Sequence, residues 1–143
     1  MESFDFKNSD ISDRMIAENE YAFAFLNKRP IVSGHTLICP KRSITFSHEL
    51  LDEELRDVFL LKTAVCKILQ QALKTEGFNF AWNEGLVAGQ TVPHFHLHVV
   101  PRKKEDAGIS EYEPRAFLYR PGSRADSPHE ELTSFAKELR GFS

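Results

Sequence analysis

The run His94-Phe95-His96-Leu97-His98-Val99-Val100 decides how the rest of this chain is read. Histidine alternates with an apolar residue three times, and two valines follow. An extended strand sends successive side chains to opposite faces. On that period His94, His96 and His98 share one face, and Phe95, Leu97 and Val99 share the other. The apolar face has an obvious use in packing on a core. The histidine face needs a chemical explanation, because one histidine on a sheet is ordinary and three in a row are not.

Three explanations compete. The bland one is a solvated or hydrogen-bonded row with no chemistry. The second is a metal site, since imidazole is a common zinc ligand. Geometry weighs against one ion taking all three rings. Alternate strand residues lie ~6.6 Å apart and the outer pair ~13 Å, whereas a zinc–nitrogen bond is about 2 Å. The third is nucleophilic catalysis. The middle imidazole attacks through one nitrogen while the other, still protonated, is tied to an acceptor.

The bulk properties narrow the field. A chain of 143 residues is most simply one domain, 1–143, with room for a real core. A net charge of −3 and a pI near 6.1 argue against a generic nucleic-acid binder. Arg102-Lys103-Lys104 reads as a solvated loop rather than a nucleic-acid patch. Cys39 and Cys66 are too few and too far apart for a zinc ribbon or a disulfide scaffold. The acidic amino terminus lacks an apolar targeting core, and no run is long enough to span a membrane. The expectation is a soluble, cytoplasmic protein with no membrane and no nucleic-acid partner.

Along the chain, residues 1–13 are polar and charged, with Phe4 and Phe6 as anchors. Met15-Ile16-Ala17-Glu18 predicts a short strand, Asn19-Glu20 a turn, and Tyr21 to Leu26 a strand buried on both faces. His35 to Pro40 is a further strand. The spacing predicts a long helix over Asp52 to Thr75, with Asp52 as N-cap and Gly77 as its stop. Its core face is Leu55, Val58, Phe59, Val65, Cys66, Leu69, Ala72 and Leu73, widened by Leu61, Ala64 and Ile68. So wide a face suits either a dimer contact or a deep seat in the sheet's groove. Phe78 to Asn83 alternates as a strand. Residues 103–126 read as a mobile loop or a connector. A final helix over 127–140 has Ser127 as cap, Pro128 in the first turn and Glu130 closing a capping box. Strands outnumber helices and short turns join them, which predicts an α+β fold with a mainly antiparallel sheet.

The lead-in to the histidine run has its own chemistry. Gly89 lets backbone approach a ligand, and Gln90 and Thr91 offer donors to phosphate oxygens. Gly89-Gln90-Thr91-Val92-Pro93-His94-Phe95-His96-Leu97-His98-Val99-Val100-Pro101-Arg102 closely resembles the signature of the histidine triad nucleotide hydrolases and transferases. Asn27-Lys28-Arg29-Pro30 and Gly34-His35-Thr36-Leu37-Ile38-Cys39-Pro40-Lys41 resemble that family's earlier strand pair. The similarity spans residues 12–103. It implies a five-stranded sheet per subunit, one long and one C-terminal helix, and a homodimer that extends the sheet across two copies.

The resemblance also implies roles. His96 becomes the nucleophile, attacking an α-phosphorus to form a nucleotidyl-histidine. His98 holds the phosphate and helps protonate the leaving oxygen, and His94 and His35 buttress the site. Asn27 resembles the residue that binds the ribose hydroxyls, with Phe6, Ile16, Phe25 and Leu37 as candidates around the base. Asn27-Lys28-Arg29-Pro30 and Pro101-Arg102 resemble the fragile-histidine-triad branch, which cleaves dinucleoside polyphosphates such as diadenosine tri- or tetraphosphate. That branch presents glutamine where this chain has Asn83, and Asn83-Glu84-Gly85 looks more like the purine nucleoside phosphoramidase branch. The expected activity is dinucleoside polyphosphate hydrolysis. The alternatives are a phosphoramidase, or a nucleotide-binding sensor with incidental hydrolysis. No tightly bound cofactor or metal is expected, and magnesium enters only as a companion of the polyphosphate.

Overall fold

Alternating apolar residues build the centre of the sheet. In this computed structural model, which describes residues 4–106 and 126–142, five strands run in the order β1-β2-β3-β5-β4. They are β1 (Met15–Glu18), β2 (Ala22–Leu26), β3 (Thr36–Pro40), β4 (Gly77–Ala81) and β5 (Leu97–Arg102). Every neighbouring pair is antiparallel. Three α-helices accompany them among the described residues: α1 (Ser9–Ser12), the long α2 (Asp52–Leu73) and α3 (His129–Arg140). The α+β class and the mainly antiparallel sheet are as the sequence predicts. No described helix is long and apolar enough to cross a membrane.

Each residue of β2 and β3 is buried. The period-2 pleat divides their side chains between two apolar clusters. Ala22, Ala24, Leu26 and Ile38 join Leu97 and Val99 of β5 on the face covered by α2 and α3. Phe23, Phe25, Leu37 and Cys39 point the other way, where Ile11 and the N-terminal segment with Phe4 and Phe6 cover them. Leu37 pairs with His98 in register, which puts the histidine face on this second side.

Several boundaries differ from the expected ones, for local reasons. Strand β5 begins at Leu97, not His94. The Phe95 N–H is taken by the Ile44 carbonyl and the His94 N–H by the Val92 carbonyl, so the first two histidines precede the ladder. Leu51, not Asp52, is the N-cap of α2, and Glu54 reaches back to accept the Leu51 N–H at 2.8 Å. Lys74, not Gly77, closes the helix. It adopts a left-handed conformation (φ 56°), and its N–H is taken by the Gln70 carbonyl. Gly77 opens β4 instead. Ser127 does not cap the last helix: Pro128 takes the cap position, and the Ser127 N–H goes to the Lys28 carbonyl at 2.7 Å.

The core of α2 is Val58, Leu61, Val65, Ile68 and Leu69. Leu55, Phe59 and Ala64, expected within the apolar face, are exposed. Gly34 sits where the loop enters β3 with φ +94°, and a Cβ there would lie 2.7 Å from Leu73 Cδ1 and 3.1 Å from Pro101 Cγ. Only glycine fits that close approach. Most of the expected mobile loop, residues 107–125, lies outside the described residues.

Candidate active site

The histidine cluster is organised by backbone groups whose polarity is fixed. A backbone N–H can only donate, so a ring nitrogen facing one must be bare. The Ile31 N–H meets His35 Nδ1 at 3.0 Å. The proton of neutral His35 therefore sits on Nε2, which lies 2.9 Å from His98 Nδ1 and donates to it. His98 in turn carries its own proton on Nε2. One backbone amide thus sets two tautomers in series.

The same logic fixes the other two rings. The Phe4 N–H meets His94 Nδ1 at 3.0 Å. His94 Nε2 then carries the proton and donates to the Pro40 carbonyl at 2.8 Å. Both nitrogens of His94 are committed, so it has no lone pair for a metal or a substrate. The carbonyl of His94 accepts from His96 Nδ1 at 2.8 Å. Nδ1 of His96 is the protonated nitrogen, and Nε2 is left bare. Burial lowers the His96 pKa below its ordinary value and does the same to His94, which keeps both rings neutral near pH 7. A neutral ring with a bare Nε2 is the form that attacks phosphorus.

The three triad rings do not lie in one flat row. His94 is fully buried, and His96 is half-buried. His96 and His98 remain neighbours, with ring centroids 5.0 Å apart. His35 is fully buried behind His98. The structure thus brings together all four histidines the sequence singled out.

The expected binding residues divide into several groups. Phe6, Phe25 and Leu37 belong to the apolar cluster on the histidine side. Ile16 does not: it is 1% exposed within the helix-side core, on the opposite face of the sheet. Its expected place beside the base is therefore corrected. Asn27 turns its Oδ1 to the Arg29 N–H at 2.9 Å. Its amide nitrogen lies 3.5 Å from His35 Nε2; with that ring nitrogen protonated, the two are both donors and make no hydrogen bond. Asn83 lies just beyond β4.

Gln90 plays a different part from the expected phosphate donor. It is buried, its amide oxygen accepts the Gly85 N–H at 2.8 Å, and its amide nitrogen donates to the Thr45 carbonyl at 2.9 Å. It staples the 85–90 loop to the segment between β3 and α2. Glu84 adds a second staple, accepting from the Ser47 N–H and from Trp82 Nε1. The Ser47 hydroxyl first, then the Ser47 N–H and Trp82, hold its carboxyl below the usual range. Gly89, with φ +97°, turns the chain out of this loop, and Thr91 is exposed at its exit.

One contributor, Ile11, escaped the sequence reading, and Phe4, read there only as an anchor of the amino-terminal segment, takes part in the site. Ile11 is buried in the apolar cluster beside Phe23 and Phe25. Phe4 packs edge-on against both Phe25 and His96, at centroid distances of 5.2 and 5.3 Å. The alternation of Phe4 and Phe6 was the available signal. The carbonyls of Pro40 and His94 and the N–H of Ile31 left none, because a backbone group looks the same at every position. Among the described residues, no cluster of three or more histidine, cysteine or acidic side chains is arranged to hold a metal ion.

The model of the HIT domain matches residues 8–105. The chain is 34% identical over 123 residues to a bis(5'-adenosyl)-triphosphatase of Dictyostelium discoideum, covering 85% of this chain and 79% of that protein. It is 35% identical over 101 residues to an adenosine 5'-monophosphoramidase of Saccharomyces cerevisiae, covering 71% of this chain and 61% of that one. Among solved structures, it is similar to the diadenosine triphosphate hydrolase of Plasmodium falciparum crystallised with cyclomarin A. The TM-score is 0.74 and the identity 25%, over 91% of this chain and 76% of that one.

Proposed function

Because the chain belongs to the HIT family, we propose that it is a nucleotide hydrolase that cleaves dinucleoside polyphosphates through a covalent nucleotidyl-His96 intermediate. The observation that carries the reading is the protonation pattern of His96, with Nδ1–H held by the His94 carbonyl and Nε2 bare. In the first step Nε2 bonds to the α-phosphorus, and the bond from that phosphorus to the bridging oxygen breaks. The leaving polyphosphate oxygen takes a proton, for which His98 Nε2–H is the placed donor. In the second step water attacks the same phosphorus. The nitrogen–phosphorus bond breaks, the water's proton passes back to His98 Nε2, a nucleoside monophosphate departs, and both His96 and His98 return to their starting forms. Asn27 would meet the ribose, Phe6, Phe25 and Leu37 the base, and Asn83, Gly89 and Thr91 the phosphates. Magnesium would accompany the substrate and screen its charge, without a resident site.

Homodimerisation belongs to the same proposal. Strand β4 is an edge of the sheet. Phe80 on this strand and Trp82 just after it are each 42% exposed, and Leu55 and Phe59 of α2 are 47% and 43% exposed. An exposed edge flanked by apolar side chains invites pairing with a second copy. A cytoplasmic setting is also proposed, and the free thiols Cys39 and Cys66 suit a reducing compartment.

The phosphoramidase reading is the second one, favoured by Asn83-Glu84-Gly85 and by the yeast relative. A competition assay separates the two. Diadenosine tri- and tetraphosphate are offered together with an adenosine phosphoramidate, and products are resolved over time for wild type and His96→Ala. Preferred polyphosphate cleavage that disappears in the mutant supports the proposal. Preferred phosphoramidate cleavage moves the chain to the second reading. Turnover surviving in His96→Ala overturns the covalent route.

A further inference from the structure

The N-terminal segment reaches the catalytic cluster from far away in sequence. Phe4 lies 90 residues from His94, yet its backbone N–H is the donor that meets His94 Nδ1. His94 touches no substrate in the proposed mechanism. Its ring is held between two backbone groups, the Phe4 N–H on one side and the Pro40 carbonyl on the other. Those two contacts fix the plane of the ring and the course of the backbone that carries it. The carbonyl of the same residue is the acceptor for His96 Nδ1–H. A shift of His94 therefore moves the group that orients the nucleophile.

The Phe4 side chain acts on His96 as well. Its ring stands at 86° to the His96 ring at 5.3 Å, and rests on Phe25 at 5.2 Å. A half-buried imidazole held by one hydrogen bond can still swing about its side-chain torsions. An aromatic edge against it removes part of that freedom. The backbone of Phe4 steadies His94, and its ring steadies His96.

We propose that Phe4 is a positioning residue: its N–H, by clamping His94, keeps the His94 carbonyl aligned on His96 Nδ1 and so aims Nε2. This rests on the reading of His96 as nucleophile, although the clamp itself does not depend on which phosphate ester is cleaved. The segment ahead of α1 then belongs to the active site rather than to a dispensable tail.

The test compares Phe4→Pro with Phe4→Ala in the full chain. Both lose the ring, but only proline also loses the N–H. A third variant lacking residues 1–5 removes the whole contact, in case proline disturbs the local fold. The first readout needs no substrate: the nitrogen resonances of the histidine rings, which report tautomer and hydrogen bonding. Wild type and Phe4→Ala are expected to show His94 Nδ1 as a bare, hydrogen-bonded nitrogen. Phe4→Pro and the truncation are expected to lose that hydrogen-bond signature and to broaden His96. The second readout is kcat against KM on whichever substrate the competition assay selects. Loss of a group that orients a reacting imidazole typically costs about 10-fold or more, so kcat is expected to fall by that factor in Phe4→Pro and less in Phe4→Ala. A Phe4→Pro protein with unchanged ring resonances would overturn the clamp. An altered His94 signature with kcat equal to that of Phe4→Ala would overturn its role in aiming His96. A change of substrate class alone would revise the proposed function and leave the clamp standing.

Discussion

At the scale of single residues, this site is a set of imidazoles whose ring orientations and tautomers are set by backbone groups. His96→Ala is expected to lower turnover by about 10^3-fold or more, since no other bare ring nitrogen of fixed aim replaces it. Loss of the nucleotidyl-protein intermediate in rapid-quench experiments checks this. His35→Ala removes the donor that holds His98 Nδ1. A fall of about 10-fold or more in kcat is expected, with a smaller change in KM. The pH dependence follows from burial, which lowers the pKa values of His96 and His94. The nucleophile is active when neutral, so kcat/KM stays level through neutral pH and falls as pH drops through the depressed His96 value. Stability has the same sign. A depressed folded pKa contributes stability above the unfolded value near 6.5, and that contribution is lost as pH falls through the folded value. A rate profile and a urea series across the acid range read the two effects separately.

At the scale of elements, α2 has two apolar faces with different fates. Leu69 is fully buried, and Leu69→Ala is expected to destabilise the fold by about 2–5 kcal/mol in denaturant unfolding. Phe59 is exposed, so Phe59→Ala is expected to change the stability of the single subunit by no more than about 0.5 kcal/mol. The loop entering β3 offers a sharper test. Gly34→Ala places a Cβ against Leu73, Leu69 and Pro101 in a left-handed conformation. A loss of about 1–3 kcal/mol is expected in urea unfolding. That glycine lets the loop pack on the end of α2 and deliver His35 behind His98.

At the scale of the whole molecule, the sheet edge at β4 and the exposed Phe59, Phe80 and Trp82 carry the expectation of self-association. Sedimentation is expected to give a dimer for the wild type and a shift toward monomer for a Phe59→Ser, Phe80→Ser double variant. Much of this architecture was legible in the chain. Alternation marked β2, β3 and β5, the 3.6-residue period marked α2, and the histidine spacing marked the site. The ends of the elements were less legible. Ser127 and Asp52 have the chemistry of helix caps, but the cap positions fall one residue away, at Pro128 and Leu51. Ile16 looked like a pocket residue because one strand face cannot be told from the other until the sheet has a covered side. Leu55 and Phe59 looked like core because helical period alone cannot say how wide a stripe the sheet will cover. The sequence by itself determined which residue types could do the chemistry and which stretches would pair. Only the tertiary structure decided where each imidazole proton sits, because the Ile31 and Phe4 N–H groups and the Pro40 and His94 carbonyls that place those protons carry no side-chain signal and meet the rings only once the chain has folded.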